Sequence, residues 1–509
     1  MPQFITRHAA PVIRIGSSVL FIASIAAVMG SLPVPQTTTV ATAVPADKSS
    51  ERTMIGFEPV CMAEMPGVPM SLCFMPGTSA EEVNQVTQRL VSRWARDLAE
   101  RPLAGEGDGG TAYFATTRWV LTGSSVQGAP ATLRWSMPAD GLSIPDDLAG
   151  GAASPNNLNA TFVTKFGSLE AGKSLLRQVY ARWSDLSGVN YTEVTDDNAA
   201  WGASGSATRG DIRVVGRTFA NAGGVLAYNF FPNNGDMVIV TSNSNAWSAA
   251  NNQRYFRNII AHEHGHGLGF DHVCPANNSK LMEPFITTAF DGPQNDDIRA
   301  AQRQYGDNYE PNDTYTTGSA VINESGSTSL PNLSIDDNSD VDYYKFNANV
   351  GATITVRVSP QGPASYLNGP QNANGSCSAG TSFLPLAVHD LVLSIYRGTS
   401  TTPLISQNVS ALGVAESITN YPVLASDVYS IKVSSASTTD DVQLYSMITT
   451  IVATAPLIGD FDGNGSVGGG DLGILLAVWG PIACGSPYDL NGDCVINGAD
   501  LADFLTRWG

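Results

Sequence analysis

The stretch His262-Glu263-His264-Gly265-His266-Gly267-Leu268-Gly269-Phe270-Asp271-His272 holds four of the chain's six histidines. Residues four apart on a helix differ by ~40° in direction and ~6 Å in height, so His262 and His266 converge on one ion. Glu263 stands beside them, within reach of a water on that ion. Gly269 can take the positive φ that ends a helix, and the chain then turns and brings His272 back as a third ligand. Three neutral imidazoles leave zinc an open fourth position, as a catalytic site requires. Zinc lowers the pKa of its water from about 15.7 towards ~7. Glu263 is expected to accept that water's proton during attack on a peptide carbonyl and to pass it to the leaving amine. His264 lies ~200° around the helix from His262 and cannot share the ion, so it reads as a packing or surface histidine. A histidine-rich surface helix, or a metal site without catalysis, does not account for Gly269 and His272 at these offsets.

Around this segment, residues 113–307 read as one unit of mixed helix and strand. Leu175, Leu176, Val179, Trp183 and Leu186 mark an amphipathic helix. Asp211–Val215 and Met237–Thr241 read as strands. A helix from about Asn251 to Leu268 carries the histidines, and another from near Asn295 buries Ile298, Ala301 and Tyr305. Upstream, residues 44–112 read as a pro- or accessory region. There Ser79-x-x-Glu82 is a capping box, followed by Val83, Val86, Leu90, Trp94 and Leu98 at helical spacing, and Gly105–Gly110 is a flexible linker. Arg7, His8 and Arg14 precede an apolar run from Ile15 to Met29. That run is shorter than the ~20 residues of a membrane span and fits a secretory signal, placed at residues 1–43 with Ala41-Thr42-Ala43 as a cleavage site; a site near Ala26 to Ser31 is the alternative and an uncleaved anchor the third. No later stretch reaches span length. The expectation is a secreted, extracellular or cell-surface protein with no membrane contact after signal cleavage.

The chain has 509 residues, which at ~150 per domain suggests about three domains. Lys+Arg 27 against Asp+Glu 46 gives a formal charge of −19, which argues against a nucleic-acid partner. Hydrophobic residues at 43% exclude global disorder, while Gly 50 and Pro 29 favour β-rich, loop-rich architecture. The six cysteines, at 61, 73, 274, 377, 484 and 494, fit an oxidising compartment. Cys61/Cys73 and Cys484/Cys494 are close enough in sequence to pair locally. Cys274 and Cys377 fall in different expected domains, which leaves their pairing open.

Downstream of 307 the helical periodicity vanishes. Residues 308–455 show short β-rich runs such as Ala352–Val358 and Val428–Val433 between Ser, Asn, Gly and Pro clusters, the pattern of an all-β sandwich. Residues 457–509 hold a repeat of period 29. Asp460, Asp462, Asn464, Ser466 and Asp471 supply oxygens in the pattern of a calcium loop, and Asp489, Asn491, Asp493, Val495 (through its carbonyl), Asn497 and Asp500 do so again. Two calcium ions are expected. Leu472, Leu475, Leu476 and Trp479 correspond to Leu501, Phe504, Leu505 and Trp508, so a helix follows each loop. Cys494 stands where the second loop should have its turn glycine, and a Cys484–Cys494 disulfide would compensate.

The histidine segment resembles the metzincin signature H-E-x-x-H-x-x-G-x-x-H. Leu281-Met282-Glu283-Pro284 resembles that clan's Met-turn, which implies that Met282 floors the metal site without ligating. Asp296–Gly306 and Thr132–Ser136 resemble the last helix and first strand of the matrixin branch. The resemblance implies an α+β zincin-like catalytic domain, one catalytic zinc on His262, His266 and His272, and Glu263 as base. Matrixins commonly hold a second, structural zinc, but Tyr228 and Val238 stand where the family has histidines. No second zinc is expected, and the calcium sites near Asp236 are in doubt. Neither Cys61 nor Cys73 lies in the family's cysteine-switch sequence, so a disulfide between them is preferred. Gly224–Tyr228 occupies the position of the edge strand on which a peptide would lie by β-augmentation, with Leu226 and Ala227 binding its backbone.

Glu310-Pro311-Asn312-Asp313-Thr314 with Asp340–Phe346 resembles the bacterial pre-peptidase C-terminal domain, whose carboxylates could hold calcium. Residues 457–509 resemble a type I dockerin, a small helical calcium-binding domain, which implies a possible cohesin-type partner. The combined expectation is a multidomain zinc endopeptidase acting on protein or peptide substrates. The first rival is a calcium-dependent, cohesin-binding or cell-surface adhesion or scaffold protein with an idle peptidase domain. An idle domain should have lost the base or a ligand, and neither is missing. A zinc amidase of cell-wall peptides, the second rival, would use different ligand spacing.

Overall fold

The computed structural model describes residues 70–94 and 113–509, except 116, 122–123, 149, 204–207, 221, 373–375 and 454–456. All described residues fall in one compact unit, Glu58–Gly509. The expected signal segment, Cys61, Leu98 and the Gly105–Gly110 linker lie outside the described residues.

The first elements are β1 (Met70–Phe74), α1 (Ala80–Trp94), β2 (Ala131–Ser136) and the short pair β3 (Ser143–Ile144) and β4 (Ser154–Pro155). Two helices follow, α2 (Leu158–Phe166) and α3 (Leu169–Ser184), then strands β5 (Val189–Glu193), β6 (Ile212–Arg217), β7 (Val225–Phe230) and β8 (Met237–Val240). Last come α4 (Ala250–Leu268), β9 (Val273–Cys274) and α5 (Asn295–Tyr305). Six strands form a sheet in the order β1-β7-β8-β6-β2-β5. β2, β5, β6 and β8 run parallel to their neighbours among themselves, while β7 is antiparallel to β8 and β1 is antiparallel to β7.

The expected capping box forms: the Glu82 backbone N–H donates to Ser79 Oγ, and the Ser79 N–H donates to the Glu82 carboxylate. The stripe expected on α3 is buried at Leu175, Leu176, Val179 and Trp183, and Ser168 caps its start. These side chains pack with Ile259, Ile260 and Leu268 of α4 in one core, which seats the histidine helix on the sheet. α2 and β1 are among the elements that went unread in the sequence. α2 buries only Leu158 and Phe162. β1 joins the sheet from the accessory region, so Met70–Phe74 is structurally continuous with the unit expected to start at 113.

The β-rich region comprises β10 (Gly326–Ile335), β11 (Val341–Ala348), β12 (Thr353–Pro360), β13 (Tyr366–Pro370), β14 (Thr381–Phe383), β15 (Leu391–Arg397), β16 (Ile405–Gln407), β17 (Glu416–Pro422), β18 (Asp427–Ser435) and β19 (Gln443–Val452). Two four-stranded sheets, β10-β19-β12-β17 and β11-β18-β15-β16, share one core. Leu333, Ile354 and Val356 enter it from one sheet, and Tyr344, Leu393 and Ile431 from the other. The C-terminal region has α6 (Gly469–Ala477), β20 (Gly480–Pro481), β21 (Val495–Ile496) and α7 (Gly498–Leu505) around Val467, Leu475, Ile496 and Phe504.

The β-rich region is joined directly to the histidine unit. β13 pairs with β9, Cys274 is disulfide-bonded to Cys377, and the buried Arg299 of α5 forms an ion pair with Asp441 at 2.6 Å. Cys484–Cys494 is the second disulfide among the described residues. The suggested Cys61–Cys73 bond is corrected. Cys73 keeps its thiol, buried beside Glu263, because β1 carries it into the sheet. Among the described residues no helix is long and apolar enough to cross a membrane.

Candidate active site

Helix α4 is buried from Phe256 to Leu268. It ends at Gly269, whose φ of +103° lies in the left-handed region. A Cβ there would meet the Thr117 carbonyl oxygen at 1.9 Å, so only glycine fits both the turn and the approach. One turn earlier, a Cβ on Gly265 would lie 2.3 Å from Met282 Sδ. Its absence lets the Met282 side chain pack directly under the helix.

The Nε2 atoms of His262, His266 and His272 lie 3.1 Å from one another. Each ring's other nitrogen is committed: His262 Nδ1–H donates to the Leu281 carbonyl at 2.7 Å, His266 Nδ1–H to the Phe270 carbonyl at 2.6 Å, and His272 Nδ1–H to Gln371 Oε1 at 3.0 Å. These acceptors fix the tautomers and leave the three Nε2 lone pairs facing one another. Burial pushes His262 down to about 3, with His272 adding to the shift, and holds His266 well below its ordinary value. His262 and His266 are therefore neutral. Three converging lone pairs repel unless a cation lies between them, and tetrahedral zinc with Zn–N of ~2.0–2.1 Å would space its nitrogens at about 3.3 Å. The donor set fits zinc.

Glu263 is fully buried next to His262. Burial raises its carboxyl to about 8, while the Cys73 thiol and backbone N–H face the carboxylate and pull the other way. Neither Glu263 oxygen has a partner of good hydrogen-bond geometry, so the Cys73 contacts are loose. His264 is not at the surface: it is buried, bonded to the Tyr191 hydroxyl at 2.6 Å and edge-on to Tyr180.

The Met-turn is held from α5. Asp297 accepts the Leu281 N–H at 2.8 Å and the Met282 N–H at 3.0 Å, and also the Gln294 N–H at the helix start. Glu283 gathers the backbone amides of Asn278, Ser279 and Lys280. Asp297 and Gln371 are positioning groups that sequence reasoning did not single out as such. Their roles depend on pairings 15 and 99 residues apart along the chain.

Leu226 and Ala227 lie buried on β7. This edge is already covered by the chain's own β1, in the register Leu72↔Tyr228 and Cys73↔Ala227. Tyr228 and Val238, at the family's second-zinc positions, are buried, and the Tyr228 hydroxyl donates to Asp147 at 3.1 Å. Asp236 accepts the Arg213 N–H, and burial pushes it up to about 7.

Two acidic groups lie elsewhere. Glu310, Asp313 and Asp340 bring carboxylate oxygens within 4.8 Å of one another, as do Asp460, Asp462 and Asp471. Asn464 and Ser466 fold over the latter loop, with Ser466 Oγ donating to Asn464 Oδ1. In the second loop Asp489 accepts the Cys494 N–H, Asp500 accepts the Leu490, Asn491 and Asn497 amides, and Asp493 accepts the Val495 N–H. Among the described residues Asp489, Asp493 and Asp500 form no such three-carboxylate group. Asn491 stands where the first loop has Asp462. Cys494 takes φ +67°, the left-handed turn that Gly465 makes at +84° in the first loop.

Residues 158–306 match the matrixin peptidase family. Over 155 residues the chain is 33% identical to the hatching enzyme of Paracentrotus lividus, covering 28% of this chain and 24% of that protein. Over 151 residues it is 34% identical to human matrix metalloproteinase-26, covering 27% of this chain and 52% of that protein. The chain thus spans about a quarter and about half of the lengths of these two relatives. The pre-peptidase C-terminal domain of a Bacillus anthracis collagenase aligns at 9% identity and TM-score 0.16, over 26% of this chain and 95% of that one, a level that carries no argument.

Proposed function

We infer that this chain, which carries a matrixin domain over residues 158–306, is a secreted zinc-dependent endopeptidase. The observation that carries this reading is the convergence of three imidazole Nε2 atoms at 3.1 Å, with Glu263 alongside. His262, His266 and His272 would hold the zinc. Bound there, zinc supplies a Lewis acid that polarises a peptide carbonyl and acidifies water. Glu263 takes the water's proton and returns it to the nitrogen that leaves. Met282 floors the site, and Leu226 and Ala227 of β7 bind the peptide backbone of a protein substrate. A casein digest with and without a chelator tests the reading. Cleavage abolished by the chelator and restored by zinc supports it, and chelator-insensitive cleavage contradicts it.

The domain division proposed is 113–307, 308–455 and 457–509, with β1 and α1 attached to the first. We assign calcium to the two C-terminal loops: to Asp460, Asp462, Asn464, Ser466 and Asp471, and to Asp489, Asn491, Asp493, Val495, Asn497 and Asp500. The Glu310, Asp313 and Asp340 cluster is a third candidate. Leu476, Trp479, Leu505 and Trp508 are each about half-exposed and recur at matching places in the two repeats, which favours a cohesin-type partner for a dockerin-like 457–509. Calcium titration of the full chain tests the loops, and immobilised cohesin tests the partner.

A further inference from the structure

Of the three imidazoles, His272 is the one whose second nitrogen is held from the β-rich region. Val273, next in the chain, donates its N–H to the Met282 carbonyl at 3.0 Å and pairs with Pro370 of β13. Cys274 pairs with Gly369 in the same ladder and is disulfide-bonded to Cys377. The ladder stops there. Gln371, one residue past the end of β13, accepts from His272 Nδ1 at 3.0 Å. It is also bridged, across its own turn, to Cys377. The far side of that turn packs on the residue after Cys274: a Cβ on Gly380 would lie 2.9 Å from Pro275 Cδ. The disulfide thus ties the segment facing Gln371 to a residue two places from His272.

An acceptor behind a metal-bound imidazole fixes its tautomer and ring orientation, and an acceptor on a loose turn cannot. Resting on the zinc-endopeptidase reading above, we propose that Cys274 and Cys377 are positioning residues of the metal site: their disulfide holds Gln371 against His272, and its reduction loosens the zinc. The bond is open to a thiol from one side. A cavity of about 630 Å³, with Pro275, Asn278, Phe285, Ser376 and Ser378 in its wall, reaches Cys377. Cys377 is half-buried, whereas Cys274 is fully buried. A small dithiol in the cavity therefore attacks the Cys377 sulfur. The S–S bond breaks, its electron pair leaves on the Cys274 sulfur, and that sulfur takes a proton. The dithiol's second thiol then displaces the Cys377 sulfur, which is protonated in turn, and closes the reagent's own disulfide. Two electrons and two protons pass in all from the dithiol to the two cysteines. The other role for the bond, a staple with no hand in the metal site, predicts lower thermal stability with unchanged zinc affinity.

The test is a double-mutant cycle on zinc affinity in the full chain, read by competition with a chromogenic chelator. Oxidised wild type is compared with wild type reduced by dithiothreitol and freed of the reagent without air, and with Cys274→Ala/Cys377→Ala. Each is repeated with Gln371→Ala, and peptide mapping verifies the state of the bond. Expected is an affinity lower by about 10–100-fold on reduction, matched by the alanine pair and by Gln371→Ala alone. In Gln371→Ala, reduction should shift affinity by no more than about twofold, because the contact it acts through is gone. In the alanine pair, dithiothreitol should shift nothing further; a further fall would place the effect at Cys484–Cys494 and overturn the proposal. Unmoved affinity on reduction, or a fall as large in Gln371→Ala as in wild type, also overturns it. Reduction of the folded chain keeps the test decisive where the alanine pair fails to fold. Tight zinc that ignores the disulfide removes this role alone, and an oxidised chain that binds no zinc removes the endopeptidase reading with it.

Discussion

At the residue scale, the site depends on which nitrogen of each imidazole is free. His262 and His266 take their orientation from carbonyls of nearby chain, at Leu281 and Phe270, whereas His272 depends on Gln371 from the β-rich region. Removing such a supporting acceptor typically costs ~10–100-fold in metal affinity. Gln371→Ala should weaken zinc by about that factor, measured by competition with a chromogenic chelator, and an unchanged affinity would remove Gln371 from the account. Glu263→Gln keeps the volume but cannot accept a proton. It should lower kcat/KM for a peptide by roughly 10²–10⁴-fold or more while zinc content stays unchanged, and near-wild-type turnover would remove the assigned base. The triad and Glu263 could be read from sequence because helical spacing and a terminating glycine are local properties. Gln371 could not, because its position beside His272 comes from the pairing of Gly369 with Cys274.

At the element scale, the turn after α4 is the point of least tolerance. Gly269 and Gly141 have similar φ, +103° and +99°. A Cβ at Gly141 would meet nothing within 4 Å, whereas one at Gly269 would strike the Thr117 carbonyl. Both alanine substitutions carry backbone strain of about 1 kcal/mol or more, and only Gly269→Ala adds the collision. Thermal unfolding should therefore rank Gly269→Ala as clearly the less stable, and equal melting temperatures would contradict the packing described. Sequence periodicity exposed the elements with one apolar face, such as α3 and the helix after Ser79. It missed β1 because all five of its residues are buried. A strand covered on both faces shows no alternation, and Met-Ser-Leu-Cys-Phe carries no turn signal of its own.

At the scale of the whole molecule, the loss of helical periodicity after residue 307 marked a β-rich region but could not show how closely it joins the helix-bearing one. Arg299–Asp441, Cys274–Cys377 and the β9–β13 pairing tie the sandwich to the histidine unit. Near this junction Glu310, Asp336, Asp340 and Asp342 are all pushed above the ordinary carboxylate range, by burial first and then by the charges of neighbouring carboxylates. Their folded-state pKa values exceed the unfolded ones, so the folded chain binds more protons, and stability falls as pH rises past the ordinary carboxylate range. With a calcium chelator present, the melting temperature should drop between about pH 5 and about pH 8. Calcium should restore more at the higher pH, and Asp340→Asn should flatten the drop. A melting temperature that climbs with pH in the chelator would contradict the cluster's electrostatics. The central claim, that three imidazoles share one catalytic metal, is tested most directly by elemental analysis of purified chain after dialysis against zinc. The account predicts one tightly held zinc in the wild type and in Glu263→Gln, lost when His262 and His266 are both replaced by alanine. A wild type without zinc, or a double variant that keeps it, would contradict the claim.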